Sequence, residues 1–264
     1  MQPALVSLAL LAYLAVAALL IVRLAREESV DHGERALGIL AVLLHFLVLA
    51  RGANQAGGID LHFFSALSLV GMGVAAVYVV ASLSKPIDAL GVLVYPIAAT
   101  MLGLQFLLGG EPAPRPAEWQ IQLHVMVALA AYSVLSYAAL VAVVLAFQER
   151  ALRRHRVGRL VVALPPLTLT EAMLFRLIAA GFLLLTLTLL SGVLFVSDLF
   201  GQKLAHKTTL SFLAWAVFGV LLYGRMRHGW RGRRAVRFTL AGMAVLLLAF
   251  FGSKFVLEVV LGRA

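Results

Sequence analysis

Imidazole ligates heme iron and other metals, carries protons, and is costly to strand in hydrocarbon. The histidines of this chain are therefore the residues whose placement could do chemistry. His45, His62, His124 and His206 fall at or near the ends of apolar segments that share one side of a membrane, whereas His32, His155 and His228 fall in charged loops on the other. A lone histidine at a helix end is ordinarily a solvated interfacial residue. That reading suits His124, which opens a segment in Gln120-Ile121-Gln122-Leu123-His124-Val125 with Tyr132 deeper on the same helix. It equally suits His206 in Lys203-Leu204-Ala205-His206-Lys207-Thr208-Thr209. His45 differs, because it lies about two turns inside its segment, where an ionisable side chain is expensive unless it faces partners or a cavity. His62 follows Gly57-Gly58-Ile59-Asp60 and, with Asp60 beside it, is most economically a surface residue. Two histidines on neighbouring helix ends can clamp a heme, and Arg51, Lys203, Lys207 and Lys254 lie on the same side to pair with its propionates.

The elements that must position these residues are membrane helices. Of 264 residues, 62% are hydrophobic and only 13% are charged, against roughly a quarter charged in a soluble domain. Crossing the hydrocarbon core takes about 20 mostly apolar residues. Eight segments qualify: 4–22, 36–50, 63–83, 89–108, 123–147, 173–195, 208–223 and 238–261, the second and seventh being short enough to extend by a turn. The longest connection, 148–172, is too short for a soluble domain, so residues 1–264 read as a single transmembrane helical domain. The first segment opens Met1-Gln2-Pro3, without the positive start of a signal peptide, and is expected to remain as a helix. The expected fold is all-α, a polytopic helix bundle in the lipid bilayer.

Lysine and arginine set its orientation, because positive residues near helix ends stay on the cytoplasmic side. They crowd the connections after the first, third, fifth and seventh segments, including Arg23, Arg26, Lys85, Arg150, Arg153, Arg154 and Arg225 to Arg237. The opposite side has only Arg51, Arg115, Lys203, Lys207, Lys254 and Arg263. Both termini are thus expected on the outer, periplasmic side of a bacterial inner membrane. The net charge of +10 is mostly this retention signal. It does not mark a nucleic-acid partner, since Arg225 to Arg237 lacks the aromatic interleaving and recognition fold of one.

Local signals fit the spans. Pro165-Pro166 blocks a helix upstream of the sixth segment, and Thr168-x-x-Glu171 has the spacing of a capping box. The proline-rich run from Gly109 to Pro116 reads as a rigid outer connector. Gly181, Gly192, Gly242 and Gly252 read as helix packing contacts, and Lys254 with Glu258 as a structural i, i+4 pair. Cysteine is absent, which excludes thiol redox chemistry, disulfides and iron–sulfur clusters. No nucleophile elbow, P-loop, zinc-protease motif or paired intramembrane carboxylates is present. The chain is therefore expected to bind rather than catalyse.

His124-Val125-Met126 through Tyr132, followed by Ser136-Tyr137-Ala138-Ala139-Leu140, resembles the histidine-led helix of the integral-membrane cytochrome c assembly proteins, which handle heme. Pro165-Pro166-Leu167, Gly181-Phe182, Leu185-Thr186, His206-Lys207-Thr208, Ala214-Trp215, Gly229-Trp230-Arg231-Gly232 and Phe251 to Phe255 are similar to the short, eight-helix YpjD-type branch of that family. The resemblance covers most of the second half, while the first four segments add little beyond hydropathy. Larger members carry a tryptophan-rich outer loop where this chain has Ser197-Asp198-Leu199-Phe200-Gly201-Gln202, and a second outer histidine before the last helix where Phe251 to Phe255 has none. The resemblance thus implies a protein that binds or handles b-type heme near the outer face, with His124 and His206 as axial ligands and His45 as a second-site ligand or polar relay. Implied partners are other cytochrome assembly proteins or an apocytochrome. The alternative is a small-molecule permease or a cofactor-free accessory subunit of another membrane complex, which would show no Soret absorption.

Overall fold

In the computed structural model, residues 3–26, 28, 30–109, 118–155, 158, 162–195 and 205–255 are described, and among them the regular structure is entirely helical. Among the described residues, eight helices are long and apolar enough to cross a membrane, as the hydropathy pattern predicts. Six of them run past the expected limits, because charged and amphipathic residues at the membrane surface continue the helical hydrogen bonding that the apolar stretch begins, while the third and fourth stay within 63–83 and 89–108. The second reaches His32–Ala56, and the seventh Ala205–His228.

The described chain falls into two compact units. The first holds α1 (Pro3–Arg26), α2 (His32–Ala56), α3 (Phe63–Ser82) and α4 (Gly91–Leu108), with a short 3-10 turn over Asp88–Leu90 leading into α4. They pack as a ring in chain order that α4 closes by returning to α1. The second unit repeats this arrangement with α5 (Trp119–Arg153), α6 (Leu167–Phe195), α7 (Ala205–His228) and α8 (Arg233–Leu247), the last continuing into a π turn over Leu248–Gly252. Here α5 packs on α6 and α8, and α7 on α6 and α8, so α5 and α7 are diagonal.

Side chains partition as hydrocarbon requires. Tyr13, Leu102, Leu135, Leu145, Leu174, Ile178, Phe218 and Leu246 fill the interiors, while Leu11, Leu43, Leu107, Leu183 and Leu194 face outward. A soluble fold would aggregate through such a surface; in lipid it is the matching solvent. Close helix approach rests on glycine at two of the four expected positions, Gly181 and Gly242, whereas Gly252 meets only Leu248 of its own turn. A Cβ at Gly181 would collide with Leu135, and one at Gly242 would come within 2.8 Å of Phe218.

The capping box lies elsewhere than the sequence pattern suggested. Asp31 caps α2 with Glu34, whose carboxylate accepts the Asp31 backbone N–H at 2.7 Å. Gly57 ends the helix in the left-handed region at φ 77°, which glycine adopts without a Cβ penalty. At α6 the helix starts one residue before Thr168, and Glu171 serves as an ion-pair acceptor instead. The proline-rich connector, the segment with Ser197 to Gln202, Lys203 and Glu258 lie outside the described residues.

Candidate functional site

His124 sits in the second turn of α5, half-buried, and its Nδ1 lies 2.9 Å from Ser191 Oγ on α6. Ser191 is three residues beyond Thr188, so its hydroxyl reaches back along its own helix and donates to the Thr188 carbonyl at 2.9 Å. A serine has one proton to give. In the arrangement in which that proton goes to Thr188, whose carbonyl also faces the imidazole, the Oγ accepts from Nδ1–H of His124. The lone pair then resides on Nε2, the form in which a histidine ligates a metal while its other nitrogen is held by the protein.

The same end of this unit collects cations and rings. Lys207, in the first turn of α7, and Lys254, beyond the π turn, both approach the Phe250 ring, at 5.9 and 5.6 Å from its centroid. Phe250 and Phe251 in turn pack on Tyr132, centroids 6.0 and 5.9 Å away. The Tyr132 hydroxyl donates to the Leu246 carbonyl at 2.7 Å, just where the α-helix gives way to the wider π turn and its regular carbonyl pairing is interrupted. Tyr132 thereby ties α5 to the bend that carries Lys254.

His206 is exposed in the first turn of α7. Its helix is diagonal to that of His124, whose ring is turned to α6. Among the described residues, no hydrogen bond or ring contact joins the two imidazoles.

His45 belongs to the other unit and is completely buried. The Tyr13 hydroxyl lies 3.2 Å from its Nδ1 and Ser68 Oγ 2.9 Å from its Nε2, linking α1, α2 and α3. Tyr13 meets the imidazole edge-on at 5.7 Å and continues to Tyr95 at 5.9 Å. Both ring nitrogens are engaged, so a metal there would have to displace one partner, whereas a polar relay keeps both. His62 is held at the α3 start by Asp60, 2.7 Å from Nδ1, with Ser65 on the other carboxylate oxygen and Gln105 of α4 on Ser65 at 3.3 Å. The surface reading of His62 gives way to a part-buried polar cluster.

Several residue runs singled out in the sequence meet in space. Trp215 stacks on Phe182, centroids 5.5 Å apart, and donates its indole N–H to Thr186 at 2.9 Å. At the arginine-rich end, Gly229 and Gly232 take positive φ of 63° and 53° and turn the chain between α7 and α8. Within that turn Arg231 Nε donates to Glu171 at 3.0 Å, and Arg225 donates to Glu171 at 2.9 Å and to the Trp230 carbonyl at 3.2 Å. Glu171 is buried, and Arg225 also covers the Phe175 ring at 4.5 Å.

Sequence reasoning did not find the Ser191 partnership. The only signal was a serine three residues past Thr188 on an apolar helix, which reads equally as a backbone-bonded hydroxyl. Among the described residues, no group of three or more His, Cys, Asp or Glu could hold a bare metal ion. A porphyrin supplies four of its iron's ligands and asks the protein for only one or two, which the histidine chemistry above can meet.

The family model described as cytochrome C assembly protein matches residues 34–261. The inner membrane protein YpjD of Escherichia coli strain K12 is 32% identical over 271 residues, covering 98% of this chain and 100% of that protein. A cytochrome c biogenesis protein CcsA of Prochlorococcus marinus strain MIT 9515 is 32% identical over 87 residues, 32% of this chain and 28% of the relative. No solved structure matches the chain.

Proposed function

The chain belongs to the cytochrome c assembly protein family, and from that premise we propose that it binds or handles b-type heme near the outer membrane face in support of cytochrome assembly. It is a multi-pass protein of the bacterial inner membrane. The observation that carries the reading is the His124–Ser191–Thr188 chain, which leaves Nε2 of a half-buried imidazole as a ligating atom. When bound, heme supplies an iron with axial positions open to imidazole. His124 and His206 would hold the heme, as the family resemblance implies. Lys207 and Lys254 lie near enough to one ring to offer charge to the propionates. His45, with both nitrogens engaged, acts as a polar relay in its own unit. The protein thus presents a cofactor to other assembly proteins or an apocytochrome and performs no bond-making of its own.

Visible absorption of the detergent-purified protein tests this. Wild type should show a Soret band, which His124→Ala and His206→Ala should each reduce and His155→Ala should not. Loss in His124→Ala alone would remove His206 from the pair. Equal absorption in all three variants, or none in wild type, would overturn the heme reading and favour a permease or cofactor-free accessory subunit.

A further inference from the structure

The charged end of the second unit contains a cavity of about 520 Å³ between the last turns of α5 and the first turns of α8. Arg150, Arg153 and Arg154 reach it from α5 and its C-cap, and Arg233 and Arg237 from α8. All five are exposed, and none is ion-paired with a carboxylate among the described residues. This sets them apart from Arg225 and Arg231 nearby, which are held by Glu171. Glu149 alone brings negative charge to the wall, so the cavity carries a large positive excess. Like charges gathered at this density repel one another, and an anion is what relieves them.

The rest of the wall is apolar. Ala146, Phe147 and Val236 form it. One turn further into the membrane, Val143 on α5 and Leu240 on α8 face outward. Arginines at a water boundary, continued by an exposed apolar flank on both helices, match an amphiphile with an anionic head and a hydrocarbon tail. A guanidinium fork pairs bidentately with phosphate oxygens, and basic pockets on the cytoplasmic side of helix bundles take anionic lipid head groups.

We propose that this cavity is a binding site for an anionic glycerophospholipid, its phosphate held by Arg150, Arg153, Arg154, Arg233 and Arg237 and its acyl chains laid along Phe147, Val143 and Leu240. The site is separate from the heme reading and stands without it. An anionic lipid seated there joins α5 to α8, so its presence should also stiffen the bundle against unfolding.

The test uses the full chain in mild detergent, with phosphatidylglycerol, cardiolipin or phosphatidylcholine added and retained lipid read by native mass spectrometry. Wild type should retain the anionic lipids at least tenfold more strongly than phosphatidylcholine. Arg150→Gln/Arg153→Gln/Arg237→Gln should lose that preference, and Arg26→Gln/Arg227→Gln, which removes two exposed arginines outside the cavity, should keep it. The charge-conserving Arg150→Lys/Arg153→Lys/Arg237→Lys variant guards against misfolding of the glutamine variant and should bind at an intermediate level. Equal retention of anionic and zwitterionic lipid by wild type would overturn the site. Equal loss in the control variant would reduce it to general surface attraction. Displacement of bound lipid by millimolar inorganic phosphate would reassign it to a free anion.

Discussion

At the scale of single residues, the chemistry of this protein turns on which proton goes where. Where the Ser191 proton goes to the Thr188 carbonyl, the imidazole is the donor and its Nε2 keeps the lone pair. Ser191→Ala removes the acceptor with little change of volume. It should weaken heme retention roughly tenfold, as loss of a partner behind a metal-bound histidine does, measured by titrating heme against the Soret band. Unchanged affinity would mean that the ring is set by something else. His45 makes the complementary case. His45→Leu fills the space but strands the Tyr13 and Ser68 hydroxyls, at a cost of roughly 1–3 kcal/mol for buried polar groups left without partners. The unfolding midpoint in detergent should fall accordingly, and adding Tyr13→Phe and Ser68→Ala should recover part of it, because removing every polar partner is nearly neutral. A single variant as stable as wild type would show that the network does not hold α1, α2 and α3 together.

At the scale of elements, the decisive features are where helices end and what pins the ends. The turn between α7 and α8 is short and rests on two glycines with positive φ, and it is anchored to α6 through the buried Glu171. The same acidic residue that sequence spacing suggests as a cap thus ties α6 to α7 and to the turn that leads into α8. Glu171→Ala should cost roughly 1–3 kcal/mol, between the values for exposed and buried pairs, since Arg231 retains much of its contact with water. It should also speed tryptic cleavage between Arg225 and Arg231. Protease resistance equal to wild type would indicate that glycine geometry alone holds the turn.

At the scale of the whole molecule, an even number of crossings returns the chain to the side on which it began. The concentration of arginine after α1, α3, α5 and α7 then predicts both termini outside. Alkaline phosphatase fused after Ala264 should be active, and the same enzyme fused after Arg154 should be inactive. The reverse pattern would move His124 and His206, and with them the proposed heme site, to the cytoplasmic side.

The sequence by itself determined the number of crossings, because the thickness of hydrocarbon imposes a constraint on consecutive residues that hydropathy reads directly. It also marked His45 as a group needing partners, and family resemblance pointed to His124 as a candidate ligand. It could not supply those partners. Tyr13 and Ser68 lie 32 and 23 positions from His45, Ser191 lies 67 from His124, and Arg225 lies 54 from Glu171. Such pairings depend on which helix neighbours which and on how each is rotated. In lipid, where apolar faces have no water to flee, close packing at residues such as Gly181 and Gly242 decides that order, and only the tertiary structure records it.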